Sequence, residues 1–578
     1  TIGVTYYDFR SNTSDPATLP TELIFARSTD GVTWQENRLT AAFDMATAPF
    51  SRGLFIGDYH ALTSANNVFM PVYVRTNSGD TANRTDVFAI AMRSLPLAAG
   101  IGETRIFRAT AAPVAQPDEA LRQRVHENLV RMMERRIPGW SQLARSLKQR
   151  PEAAAALHSN FATEFAMDTI DARRGTVRSR IEKLRRAMQR HRVAAVVVPS
   201  SDPHLSEYLP ERWQGREWLS GFTGSVGTLV VTEDFAGVWV DSRYWTQAEG
   251  QLAGTGIELM KISGAGSSAH LDWLAEHIAP GARVAVDGAV LGLSGARALQ
   301  SALSERGIEL RTDLDLLNDV WADRAALPAQ PVYEHLAPFA VTPRADKLAA
   351  VRQQMKQLGA SHHWISTLDD IAWLTNLRGA DVSYNPVFVA HLLLDAKNAT
   401  LFVAEGKVNA KLASRLAADG IALARYDQAA AALKALPATA KLLVDPRRIT
   451  LGLHETVPVG VQIIEAINPS TLAKSRKTDA EAHHIRHAME QDGAALAEFF
   501  SWFEAALGHE TITEMTVGQK IVEAREHRPG YVCPSFHPIA GFNANGALPH
   551  YRATEDSHAT ICMRGTVGSG LLLIDSCV

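Results

Sequence analysis

Asp575 directly follows the apolar run LLLI at 571–574, in GSGLLLIDSCV. A carboxylate projecting from the end of a buried strand is preorganised to hold a cation. Upstream, in NANGALPHY, His550 follows Pro549. An imidazole, with a pKa of about 6.5, can take up and release a proton near neutrality. The same residues also read as an acid that merely ends a strand and a histidine in a turn. His362 with His363, and His483 with His484 and His487, have i,i+1 and i,i+4 spacings that could hold a metal on a helix or mark surface groups. GFTGSVG and GSG lack the strand–glycine–helix setting of a nucleotide loop and read as turns.

The elements that must position Asp575 and His550 begin after NPS at 468–470. Apolar periodicity predicts a long helix over about 478–507, burying Ile485, Ala488, Met489, Gly493, Leu496, Phe499, Phe500 and Phe503. A second helix is expected over about 516–526. The glycine- and proline-rich GYVCPSFHPIAGFNANGALPHYRA is too long and apolar for a linker and opens a further domain. Before these helices lies an internal repeat. In the first copy a strand ends at PSSDPH, REWLSGFTGS follows, and a hairpin turns at DFAG into VWVDSRY. In the second a strand ends at STLDD, IAWLTNLRGADVSYNP follows, and VFVAHLLL turns at DAKNA into TLFVAEGKV. ARVAVDG and AKLLVDP complete two tandem α/β domains. A helix over about 176–191 and a strand at 194–198 open the first; Met167 would make a natural start codon.

The length of 578 residues implies roughly three to five domains. A hydrophobic content of 46% and a charged content of 21% are those of a folding chain. The net charge of -4 gives no electrostatic reason to expect nucleic acid or an anionic membrane as partner, which leaves small molecules or peptides. Cys533, Cys562 and Cys577 have no metal-type or redox-type spacing, as expected of a reducing, cytoplasmic setting. No apolar run approaches the ~20 residues of a membrane span, and residues 1–30 lack a signal pattern. The chain begins at Thr1, as a processed or cut end would.

Residues 1–100 have β character, with runs at 2–7, 22–26 and 68–74 separated by turn-rich SNTSDP and TNSGDTANR. In STDGVTW, Asp30 and Gly31 suit a tight turn over which Trp34 can pack. With YYDFR and residues 57–88, this stretch resembles bacterial sialidase-like β-propellers carrying Asp-box repeats. The resemblance implies a structural turn, so Ser28, Asp30, Gly31, Thr33 and Trp34 are assigned no catalysis. A propeller needs about four to eight blades, so 100 residues supply only a fragment. Residues 101–166 turn to Ala, Arg and Glu, with Leu121, Val125, Leu129 and Met132/Met133 at helical spacing up to Pro138, and read as a helical connector.

From about 170 to 578 the text resembles an Xaa-Pro aminopeptidase of the creatinase, prolidase and methionine aminopeptidase superfamily. It does so in SDPHLSEYLPERWQGREWLSGFTGSVGT, VDSRYWTQAE, LDDIAWLTNLRGADVSYNPVF, IRHAMEQDGAALAEFFSWFE, GFNANGALPHY and GLLLIDS. The implied fold is multi-domain. It comprises a partial all-β propeller fragment (1–100), the connector (101–166), two tandem α/β creatinase N-terminal-like domains (167–315 and 316–472) and an incomplete α+β pita-bread domain (473–578). The implied chemistry is metal-assisted hydrolysis of the bond preceding proline, by two ions, usually manganese, bridging a water. Two cations about 3.5–4 Å apart need bridging carboxylates. The family's set is two Asp, one His and two Glu.

On that resemblance Asp575 matches the first Asp ligand and His550 the histidine that helps move protons at the scissile bond, with Pro549 where an apolar residue such as Ile is usual. At most one of five ligands is then expected within residues 1–578, so this polypeptide alone is expected to be inactive. Implied partners are proline-containing peptides and a second copy in a homodimer. Competing readings are a non-catalytic dimerisation or peptide-binding protein, a sialidase-like glycan role for residues 1–100, and a gene-fusion or frameshift product.

Overall fold

The computed structural model describes residues 2–13, 15, 18–29, 33–48, 61–65, 68–77, 85–89, 105–108, 161–262, 269–548, 550–555, 557–561 and 572–575. The chain forms two compact units, Thr1–Ala172 and Arg173–Val578.

In the first unit, Ile2–Asp8, Pro20–Ser28, Thr33–Arg38 and Arg105–Arg108 form an antiparallel sheet in that order, with Phe43–Asp44 beside Pro20–Ser28. Ala61–Ala65, Val68–Thr76 and Thr85–Ala89 form a second. Phe25 meets Phe69 with ring centroids 5.2 Å apart, and the Tyr7 hydroxyl donates to Val74 O at 2.6 Å. The strands flanking STDGVTW pair as expected, Arg27 opposite Gln35, while Asp30 and Gly31 lie outside the described residues. Arg105–Arg108 corrects one expectation: it lies in the segment read as helical, yet it pairs with residues 33–36, so the β region runs past residue 100. The helix expected around 121–133 lies outside the described residues.

The second unit contains the repeat. One six-stranded sheet has the order Glu258–Lys261, Ala236–Val240, Thr228–Thr232, Ala195–Pro199, Arg283–Ala285, Glu309–Arg311. The other has the order Ile421–Arg425, Ala399–Val403, Ala390–Asp395, His362–Ile365, Lys441–Val444, Gln462–Glu465. Both run parallel, antiparallel, antiparallel, parallel, parallel. Their central strands are apolar because helices cover both faces. In the first copy Val177, Ile181, Leu184 and Met188 of the helix Phe161–His191 pack on one face, and Leu274, Leu299 and Leu303 on the other. That helix starts well before residue 176, because nothing from Phe161 onward breaks it and Gly175 has open space.

The copies are joined by main chain. Leu293 N donates to Ile449 O at 2.9 Å, Leu451 N to Leu291 O at 2.8 Å and Gly452 N to Gly288 O at 2.8 Å. A Cβ on Gly452 would come within 3.0 Å of the Gly288 backbone, so glycine is needed there. Buried His204 adds a link, its ring nitrogens 2.9 Å from Ser366 O and 2.9 Å from the Tyr426 hydroxyl.

The third region opens with the helix Asp479–Ala506. Thr478 caps it, accepting from Glu481 N at 3.2 Å while Glu481 accepts from Thr478 N at 2.9 Å. Its buried side chains are Asp492, Ala495, Phe499 and Ala506. Ile485, Met489 and Phe500, expected inside, are 48%, 60% and 48% exposed. The apolar stripe is wider than the face covered by the helix Glu514–Glu526, and Asp492 is buried because Arg525 Nε donates to it at 2.7 Å.

Candidate active site where three domains meet

Asp575 ends the strand Leu572–Asp575, which pairs antiparallel with Ile539–Phe542 and sets Asp575 opposite Ile539. The strand-end position read from LLLID is therefore where the backbone puts it; the side chain lies outside the described residues. After Phe542 the chain makes the 3-10 turn Asn543–Ala547 and reaches His550.

One carboxylate holds this connection. Glu514, 1% exposed at the start of its helix, accepts from Phe542 N at 2.5 Å, Ala559 N at 2.7 Å, the Tyr551 hydroxyl at 2.8 Å and Asn545 Nδ2 at 3.1 Å. Charge-assisted bonds of this kind are the strong ones, and here they gather both ends of the His550 segment on one point. Burial and the hydrogen bond to Glu514 raise the Tyr551 pKa. No sequence signal marked Glu514, because its partners lie 28 to 45 positions further along the chain.

The first α/β domain supplies the floor. The His550 ring stacks on Tyr244 with centroids 5.3 Å apart and planes at 28°. Arg243 Nη1 lies 3.4 Å from His550 Nε2, so a neutral ring accepting there carries its proton on Nδ1. Arg243 is itself fixed on Asp241, with Nε donating at 3.0 Å and Nη2 at 2.9 Å. The VDSRY segment thus delivers two side chains to His550.

Among the described residues the other candidate histidines do not form metal sites. His362 and His363 lie on a strand, where neighbours point to opposite faces; buried His363 places Nδ1 3.0 Å from Leu443 O. His483, His484 and His487 lie on the long helix, His487 beside Glu490 and His484 beside Phe339. Among the described residues no three His, Cys, Asp or Glu side chains converge as a metal site. The described surroundings of His550 include the cationic Arg243 and the phenol of Tyr244, while the side chain of Asp575 lies outside the described residues.

Comparison with known proteins supplies the family. Models of the creatinase/prolidase N-terminal domain match residues 180–315 and again 323–481, and the metallopeptidase family M24 matches 483–578. Xaa-Pro aminopeptidase 1 of Dictyostelium discoideum is 33% identical over 427 residues, 71% of this chain and 66% of that protein. The chain belongs to the Xaa-Pro aminopeptidase family. Aminopeptidase P2 of Arabidopsis thaliana is 33% identical over 398 residues, 63% of this chain and 56% of that protein. An X-prolyl aminopeptidase from Caenorhabditis elegans, a cytosolic enzyme with a di-nuclear active site, matches in structure. Its TM-score is 0.65 at 26% identity, covering 69% of this chain and 67% of that one. The chain spans 66% and 56% of the length of the two sequence relatives. The two family matches to the N-terminal domain coincide with the two six-stranded sheets, so the repeat is a tandem of creatinase-type domains ahead of an M24 segment. Among the described residues no helix is long and apolar enough to cross a membrane.

Proposed function

We propose that residues 173–578 are the two α/β domains and the opening part of the catalytic domain of an enzyme that hydrolyses the peptide bond between an N-terminal residue and proline. The observation that carries this reading is His550, which lies within the M24 match, is tied to Glu514 through its segment, and is faced by Arg243 and Tyr244 from the first domain. His550 is read as the group that hydrogen-bonds near the scissile bond and helps move protons, with Arg243 fixing its Nε2. Asp575 is read as one metal ligand at a rigid strand end. Manganese as the ion, a cytoplasmic location, a homodimer and proline-containing peptides as substrates are part of the same proposal. One carried-over carboxylate cannot by itself hold a two-metal cluster, so residues 1–578 alone are proposed not to turn over.

The test joins residues 1–578 to the part of the Dictyostelium relative beyond the matched region and assays manganese-dependent release of arginine from Arg-Pro-Pro. Turnover is expected from the chimera, none from residues 1–578 alone, and loss in chimeras carrying H550A or D575N. An inactive chimera, or one indifferent to both substitutions, overturns the reading. Residues 1–100 are proposed to be a sialidase-like propeller fragment, a reading supported by the antiparallel strands flanking STDGVTW.

A further inference from the structure

The second α/β domain and the helix pair of the third region border a cavity of about 520 Å³, the size of a small-molecule site. Arg243, Tyr244 and His550 are not among its lining residues. Arg378, from NLRG of the second domain, lines it with one edge of its guanidinium unused. Nη1 donates to Ala372 O at 3.0 Å and to Leu377 O at 2.9 Å, and among the described residues Nε and Nη2 donate to nothing. Burial lowers the Arg378 pKa, as expected of a cation drawn out of water with no carboxylate beside it.

The charges around the cavity do not balance. Of the lining acids, Asp369 pairs with Lys474, Asp492 accepts from Arg525 Nε at 2.7 Å, and Glu481 caps its helix by accepting from Thr478 N at 2.9 Å. Arg528 pairs with Glu498. Arg378 and the exposed Lys477 are left without an ion pair among the described residues, although Lys477 donates to Lys474 O. The third region adds the Tyr531 hydroxyl, whose buried oxygen has no hydrogen-bond partner among the described residues. Such a buried polar group calls for a partner. The lining also includes Phe339 and Ile485, large apolar side chains that are 53% and 48% exposed.

We propose that this cavity binds a small organic phosphate, with the phosphate on the Nε–Nη2 edge of Arg378 and the apolar body against Phe339 and Ile485. The planar arginine fork matches two phosphate oxygens, and Lys477 supplies the second positive charge for a dianion. A phosphate oxygen gives the Tyr531 hydroxyl its acceptor. A monocarboxylate would leave one of the two cations unanswered. A ligand held this way touches the second α/β domain and the M24 helices at once, and the site stands independently of the hydrolytic reading.

The experiment is calorimetric titration of the full chain, in a buffer free of phosphate, with phenyl phosphate, inorganic phosphate and phenylacetate. Phenyl phosphate is expected to bind with a dissociation constant of about 1 mM or lower. The other two are expected to bind at least about fivefold more weakly, since one lacks the apolar body and the other the second charge. R378M is expected to weaken phenyl phosphate by about ten- to hundredfold, the worth of a charge-assisted contact. A488F, which fills the cavity from the long helix and leaves every charge in place, is expected to abolish binding. H550A is expected to bind as the wild type does. Circular dichroism identifies folded variants; where R378M fails to fold, R378K, which keeps the charge without the fork, replaces it. The site is overturned by a wild type that does not bind, by phenylacetate binding as tightly as phenyl phosphate, or by unchanged affinity in folded A488F and the folded Arg378 variant. Loss of binding in H550A with retention in the Arg378 variant puts the phosphate elsewhere and overturns it as well. So does a chimera, built as above, that no longer binds, because the rest of the catalytic domain then fills the cavity.

Discussion

Arg243 of the first α/β domain and His550 of the M24 segment, 307 positions apart, face each other with Nη1 3.4 Å from Nε2. Because Arg243 is held on Asp241 by two further contacts, the guanidinium is a fixed donor and not a mobile surface charge. R243A is expected to raise amide exchange at residues 550–552 by about fivefold, the equivalent of one modest hydrogen bond. Hydrogen–deuterium exchange of wild type and variant checks this, and unchanged protection refutes it.

Glu514 answers four donors at once; E514A leaves Phe542 N and Ala559 N short of an acceptor, while the Tyr551 hydroxyl keeps Ser557 O and Asn545 Nδ2 keeps the Tyr551 oxygen. Unsatisfied buried groups cost about 1–3 kcal/mol each, and a loss of at least about 3 kcal/mol is expected in urea unfolding. E514Q, which keeps the shape and only part of the accepting capacity, is expected to fall between wild type and E514A. Proteolysis should turn first to residues 543–559.

Acid is expected to weaken the second α/β domain. Burial holds His363 down to about 4, and burial with the nearby Arg378 and Lys347 holds His335 down to about 4. Fully buried His391 is lowered too, by burial and by His204. The unfolded chain binds these protons at about pH 6.5 and the folded one only at lower pH. Stability is therefore complete above about pH 6.5 and declines as pH falls toward 4, by about 3 kcal/mol for His363. Urea unfolding of wild type and H363Q at about pH 7.5 and about pH 5 should show a smaller loss in the variant.

Lys407 and Asp381 form an ion pair with both side chains fully buried, and Asp381 also accepts from Val389 N at 2.6 Å. K407M strands a carboxylate in the core, which costs about 3–5 kcal/mol. K407M combined with D381N is expected to recover much of that, because the stranded charge is gone. Denaturant midpoints of the single and double variants decide it.

The tandem domains were legible because alternation, glycine turns and Asp after a strand are local signals, and each recurs in both copies. The strand ending in Asp575 was legible for the same reason. Side-chain partnership was not: Asp492 sits inside the long helix because of Arg525, and Glu514 and Arg243 act on His550 or its segment through residues far away in sequence. Periodicity alone also overfilled that helix, placing Ile485 and Met489 inside although the neighbouring helix does not cover them.

The main-chain bonds joining the α/β copies run between corresponding segments, AVDGAVLGLSG and LVDPRRITLGLHE. Leu291 bonds to Leu451, Leu293 to Ile449, and Gly292 stands opposite Thr450. Leu293 corresponds to Leu451 and Leu291 to Ile449, so the two bonds are the same bond seen from each copy, and a local two-fold axis passes between the matching residues Gly292 and Thr450. The contact is isologous, as in a symmetric pair of separate subunits. The linker has made that symmetry intramolecular, and the self-complementary face of each copy is already consumed by its neighbour.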